Sequence, residues 1–251
     1  MTKINQLIKN WPRGTVMTLG YLKENGISGE LVKRYKNSSW IESVGRGAYR
    51  LTGDNVTWEG ALYTIQQQLR LTARPGGRTA LELKGYGHYL SAETRMLYFF
   101  GLPGEYLPQW FKDYNWLSDY LYTTTNLFPH ELELPLSEFK FRDFRLLISG
   151  PELAALEMLY HVPKNQGFGE AAHITESLTT LRPQIVQQLL ENCNSIKVKR
   201  LFLYLAEKQN HSWLKDLEFS KINLGIGKRV IAKNGFLDKK YQITVPKEIH
   251  Y

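Results

Sequence analysis

The sequence predicts an α+β protein, with an N-terminal winged helix-turn-helix domain followed by a larger mixed α/β domain. Three observations predict it. Residues 1–53 fall into the order helix, helix, glycine turn, basic helix, hairpin. The same residues hold most of the chain's positive excess. Beyond residue 77, aromatic and β-branched runs alternate with helical patterns, and no internal repeat is visible.

Residues 2–10 read as a helix, with Ile4, Leu7, Ile8 and Trp11 at three- and four-residue spacing. Pro12 and Gly14 end it. Thr18 to Asn25 reads as a second helix with Leu19 and Leu22 inward, and Gly26 stops it as a C′ glycine. Ser28 is a good N-cap for a third helix over roughly 29–38, and Ile27 is placed to staple onto it. With Leu31 and Tyr35 turned inward, Gly29, Glu30, Lys33, Lys36 and Asn37 fall on the opposite face and Arg34 to one side. Trp40 to Val44 alternates like a strand, Gly45-Arg46-Gly47 makes a tight turn, and Ala48 to Leu51 reads as the returning strand.

Residues 1–53 carry nine basic and three acidic side chains, a net +6, out of a formal +8 for all 251 residues. A DNA-binding domain needs such a concentration, because neutralising phosphates supplies most of its affinity. A basic run alone is more often a solvated face, and a Gly-Arg-Gly turn more often only a hairpin. The joint order is the specific signal. It places the third helix in a major groove of double-stranded DNA, with Lys33, Lys36 and Asn37 nearest the base edges and Ser28 at the helix start. Arg34, Arg46 and Arg50 are then expected to clamp phosphates, with Arg46 at the wing tip.

The run GISGELVKRYKNSSWIESVGRGAYRL resembles the N-terminal domain of AbiEi antitoxins of bacterial type IV toxin–antitoxin systems. The shared pattern is Gly26-Ile27-Ser28, then Tyr35, Trp40-Ile41 and Gly45-Arg46-Gly47-Ala48-Tyr49. A second stretch, RTALELKGYGHYL at 78–90, is similar to the run that opens that family's second domain. The resemblance implies a repressor of its own operon, acting at inverted-repeat promoter DNA. It also implies an antitoxin against a nucleotidyltransferase toxin, without a stable complex between the two, and a role in abortive infection.

Trp58, Leu62, Ile65 and Leu69 mark a helix within 54–77, read as a connecting helix and linker that Arg74-Pro75-Gly76-Gly77 breaks. Residues 78–251 form the expected antitoxin domain. A helix is expected over 79–90, strands over 95–100 and 121–128, and a partly alternating strand-like run over 139–149. Helices follow at 151–161 and in a block over 169–210, and strands close the chain near 229–231 and 241–245.

Several constellations bear on chemistry. Glu138-Phe139-Lys140, with Glu131 and Glu133 upstream, has the Glu-x-Lys form of metal-dependent nucleases but lacks a clean acidic partner. Glu157 with His161, and His173 with Glu176, have metal-pair spacing without a third ligand. Gly225-Ile226-Gly227-Lys228-Arg229 looks like a phosphate cradle, but without P-loop spacing. Lys197, Lys199, Arg200, Lys228 and Arg229 make the C-terminal third locally basic and form a candidate antitoxicity surface. The single cysteine, Cys193, rules out an intrachain disulfide framework, and no apolar run is long enough for a signal peptide or membrane span. The expectation is therefore a cytoplasmic protein without enzymatic activity, cofactor, metal or membrane partner. The alternatives are a metal-dependent nuclease addressed by the winged helix, or a ligand-sensing transcription regulator.

Overall fold

The computed structural model describes residues 3–87 and 96–247 and divides into two compact units. The first comprises Met1–Arg74, Gly104–Asp119 and Glu138–Leu147; the second comprises Pro75–Pro103, Tyr120–Ser137 and Ile148–Tyr251.

The first unit begins with α1 (Lys3–Lys9), β1 (Met17–Thr18), α2 (Leu19–Glu24), α3 (Gly29–Asn37), β2 (Ile41–Gly45) and β3 (Ala48–Leu51). The strands form an antiparallel sheet in the order β1-β3-β2, which with the three helices is a winged helix-turn-helix. Two-residue β1 is too short to show a sequence pattern. Thr18 caps α2 by accepting from the Tyr21 amide, and Ser28 caps α3 by accepting from the Leu31 amide. Gly26 takes φ +77° between α2 and α3, the left-handed conformation expected of a C′ glycine. Leu7, Trp11, Leu22, Ile27, Ile41 and Leu51 form the core. On α3 the buried residue is Val32, with Leu31 and Tyr35 half-buried beside it. The inward face is thus centred closer to Val32 than the Leu31/Tyr35 pairing suggests.

Helix α4 (Trp58–Gln68) follows. It packs directly on the backbone of residues 14–18. A Cβ at Gly60 would overlap the Gly14 carbonyl oxygen, so no larger residue fits without moving the helix. Thr64 Oγ1 accepts from the Val16 amide and donates to its carbonyl, and Gln68 accepts from the Thr18 amide.

The chain continues through β4 (Arg74–Pro75), α5 (Gly77–Leu83) and β5 (Leu97–Gly101). The helix expected over 79–90 thus starts two residues earlier and stops at Leu83; residues 88–90 lie outside those described. Helix α6 (Gln109–Asp113) lies in the 104–119 segment of the first unit. Strand β6 (Tyr120–Thr124) pairs in parallel with β5, from Leu97↔Tyr120 to Gly101↔Thr124. The run over 139–149 is not one strand but part of a hairpin, β7 (Leu136–Phe141) and β8 (Phe144–Ser149), turning at Arg142 with φ +49°.

Helices α7 (Pro151–His161), α8 (Phe168–Glu176), α9 (Pro183–Asn192) and α10 (Ile196–Lys208) complete the helical part of the second unit. Helix α7 is buried on nearly every side, Glu152 and Glu157 included, which marks a central helix. Helix α10 is buried from Val198 to Ala206. Three short strands close the chain: β9 (Arg229–Val230), β10 (Phe236–Asp238) and β11 (Ile243–Val245). Strand β11 is central, antiparallel to β10 and parallel to β9. Strand β10 was not expected, because its run of three carries no alternation.

Candidate nucleic-acid interface

Helix α3 presents Lys33, Arg34, Lys36 and Asn37 to solvent, and the β2–β3 turn presents Arg46. Among the described residues, the side chains of Lys33, Arg34, Lys36 and Arg46 have no hydrogen-bond or ion-pair partner. These four cations of the winged helix therefore have their donors unengaged. Ser28 is exposed at the start of α3, where its hydroxyl caps the helix.

Arg50 differs. Its Nε and one terminal nitrogen donate to Glu42 at 3.1 and 2.9 Å, and the other terminal nitrogen donates to the Tyr114 hydroxyl at 3.2 Å. Glu42 and Arg50 face each other across the hairpin, a charge pair that supports the sheet. Its guanidinium is engaged on every nitrogen, so it serves the wing from within. The hairpin register carried the signal, since it sets Glu42 opposite Arg50.

The two turn glycines have different causes. Gly47 has φ +72°, which the tight turn requires, and its carbonyl accepts from the Leu19 amide at 2.7 Å. Gly45 lies against α6, where an added Cβ would stand 2.7 Å from Trp110 Cβ and 3.0 Å from its Cα. Residues of the 104–119 segment were not singled out in the sequence, since nothing local links them to residue 45. Trp40, read in the sequence as the first residue of a strand, lies just before β2 and is half exposed.

The basic group of the C-terminal third is mostly internal. Lys197 donates to the Tyr160 and Val162 carbonyls at 2.8 and 2.6 Å, and Lys199 reaches the Glu191 carbonyl. Burial pushes both lysines below the ordinary lysine value. Arg200 is 3% exposed and donates to the carbonyls of Leu224, Gly225, Gly227 and Gln242. Lys199 and Arg200 therefore do not lie on a surface. Only Lys228 of the five is exposed, with Arg229 half-buried. The phosphate-cradle look of Gly225–Arg229 fails for the same reason: the loop turns carbonyls onto Arg200, and a phosphate needs amides.

The remaining constellations are also engaged. Glu138 pairs with Arg145 at 2.6 Å. Glu157 accepts from the Gly77 amide at the start of α5, while His161 bonds to Thr123. Burial, then the nearby Lys197 charge, lowers the His161 pKa to about 4. His173 stands 3.6 Å from Glu176. No cluster of three His, Cys, Asp or Glu able to hold a metal occurs among the described residues. No helix there is long and apolar enough to cross a membrane.

Comparison with known proteins decides the family. A model of the N-terminal domain of AbiEi antitoxin transcriptional regulators matches residues 1–92. A second, for AbiEi antitoxin transcriptional regulators of type IV toxin–antitoxin systems, matches residues 94–246. The chain belongs to the AbiEi antitoxin family. It is accordingly a transcriptional regulator and antitoxin of a toxin–antitoxin system. Its fold is similar to the crystal structure of the RV2827C protein from Mycobacterium tuberculosis, with TM-score 0.63 and 13% identity, covering 98% of this chain and 90% of that one. No curated protein matches the chain.

Proposed function

We propose that this AbiEi family member represses transcription of its own operon and counteracts a nucleotidyltransferase toxin encoded with it. Residues 1–53 carry the DNA contacts and residues 78–251 the antitoxin role, joined through 54–77. The observation that carries the DNA half is the set of exposed, unpartnered cations Lys33, Arg34, Lys36 and Arg46. Helix α3 enters the major groove, with Lys33, Lys36 and Asn37 toward base edges and Ser28 near the backbone at the helix start. Arg34 and Arg46 hold phosphates. Arg50 keeps the wing in shape. The operator is an inverted repeat with one chain on each arm. The toxin is opposed without a stable complex, through a surface that includes Lys228 and Arg229, with Lys197, Lys199 and Arg200 supporting it from inside.

The test is a gel-shift titration on DNA from immediately upstream of the gene. Lys33→Ala and Arg46→Ala each weaken binding, and loss of a phosphate contact lowers the salt slope by about one. Unchanged binding in both variants refutes the assignment. For the antitoxin half, co-expression with the neighbouring nucleotidyltransferase gene restores growth, and Lys228→Glu with Arg229→Glu abolishes the rescue. Rescue by the double variant at the native level removes that surface from the proposal.

A further inference from the structure

The wing tip is fixed on both sides of Arg46. On one side the Gly47 carbonyl accepts from the Leu19 amide. On the other, Gly45 lies so close to Trp110 that there is no room for a side chain. Gly45 is not among the glycines with positive φ, so close approach, and not backbone conformation, demands glycine there. Four residues beyond Trp110, the Tyr114 hydroxyl accepts from Arg50 on β3.

The segment that makes these contacts is itself rigid. Trp110 and Phe111 are buried, and Phe111 packs at a tilt against Trp116 with ring centroids 4.8 Å apart. The Trp116 indole donates to the Phe111 carbonyl at 2.7 Å, and Tyr114 lies 4.4 Å from the Trp116 ring. At the other end, Glu105 accepts from the amide and hydroxyl of Thr72. All these residues belong to the first compact unit, yet 104–119 lies within the stretch matched by the C-terminal family model.

We propose that residues 104–119 form a brace that positions the wing: Trp110 sets the place of Gly45 and Tyr114 that of Arg50, so that Arg46 is presented to the DNA backbone by a segment distant in sequence. Trp110 and Tyr114 are positioning residues and do not contact DNA in this arrangement. The inference rests on the DNA reading above.

Full-length Gly45→Ala, Arg46→Ala and the double variant, titrated against the same upstream DNA, test it. In Gly45→Ala the new methyl forces the hairpin off Trp110 and withdraws Arg46. Each single variant loses about tenfold in affinity, as for one charge-assisted bond, with the salt slope lower by about one. The double variant loses no more than either single one, because both remove the same contact. Tyr114→Phe, which keeps the ring packing and removes only the bond to Arg50, gives a smaller loss with a correspondingly smaller slope change. Native binding by Gly45→Ala, or additive losses in the double variant, overturns the brace. If Arg46→Ala binds like the native chain, the wing reading fails instead, and hydrogen exchange then judges the brace alone. Faster exchange at the Leu19 amide in Gly45→Ala supports it, and unchanged exchange overturns it.

Discussion

The Thr64 hydroxyl is a single atom on which the seat of α4 depends. It accepts from the Val16 amide at 3.1 Å and donates to the Val16 carbonyl at 2.6 Å. Both residues are fully buried. Thr64→Val keeps the volume and removes the oxygen. The Val16 carbonyl retains Gln68 Nε2 at 3.0 Å, so it stays satisfied. The Val16 amide does not. An orphaned buried donor costs about 1–3 kcal/mol, and with the lost bond the variant is expected to be less stable by about 2–3 kcal/mol. For the first compact unit, with about 100 residues, this lowers the midpoint temperature by roughly 10–20 °C. Urea unfolding followed by tryptophan fluorescence measures it, since Trp11 lies in the same core. Thr64→Ser keeps the hydroxyl, loses one methyl and is expected to cost about 1 kcal/mol. If Thr64→Val is no worse than Thr64→Ser, the hydroxyl is not what holds α4 to residues 14–18.

Arg200→Met removes the donor to four carbonyls. Those in the exposed loop regain water, so the net cost is about 3 kcal/mol, with faster proteolysis at 224–228; a loop as resistant as the native one contradicts the anchoring role. His161 stays neutral in the fold down to its pKa of about 4, while the unfolded chain takes up that proton near 6.5. Its folded pKa is depressed, so stability falls as pH drops from about 6.5 to about 4, by roughly 3 kcal/mol in all. His161→Gln should flatten that interval in a stability–pH profile, and an unaltered slope would rule His161 out as its cause. Glu152 is buried, which by itself raises its pKa, but the Arg182 side chain and amide bind the carboxylate and carry it below the usual range. That stabilisation is present above the unfolded carboxylate pKa and lost as pH falls through the folded one. Glu152→Gln should therefore lose stability at neutral pH but not in acid, and equal losses at both would contradict the pairing.

The winged helix was legible because its signals are local. Ser28 caps, Gly26 and Gly47 take positive φ, and the basic face of α3 follows from helical period, all within a few residues. The glycines that escaped are those set by approach. Gly45 is glycine because of Trp110, and Gly60 because of the Gly14 carbonyl, partners 65 and 46 positions away. No pattern near residue 45 or 60 encodes them. Helix α4 was visible by period, but its role was not: Thr64 and Gln68 read as ordinary helix residues until they meet the Val16 and Thr18 backbone. In the second unit the helix over 151–161 was legible from its Pro start, while β10 lies in a run too short to alternate. In the first unit the turn at Arg142 is hidden inside the partly alternating run over 139–149.

The same distinction decides how the charge should be read. In the sequence, Lys197, Lys199 and Arg200 look like the α3 cluster, a few basic residues close together. In the structure they differ in kind. The three C-terminal residues are turned onto backbone carbonyls, so their donors are taken up within the fold. Lys33, Arg34, Lys36 and Arg46 face solvent with no internal acceptor, so their charge remains available to a polyanion. Arg50 belongs with the first kind, although it sits four residues from Arg46, because Glu42 and Tyr114 engage each of its three side-chain nitrogens. A basic patch is therefore a binding surface only to the extent that its donors lack partners within the fold. That criterion is why α3 with the wing tip, and not the C-terminal group, is the face proposed to meet DNA.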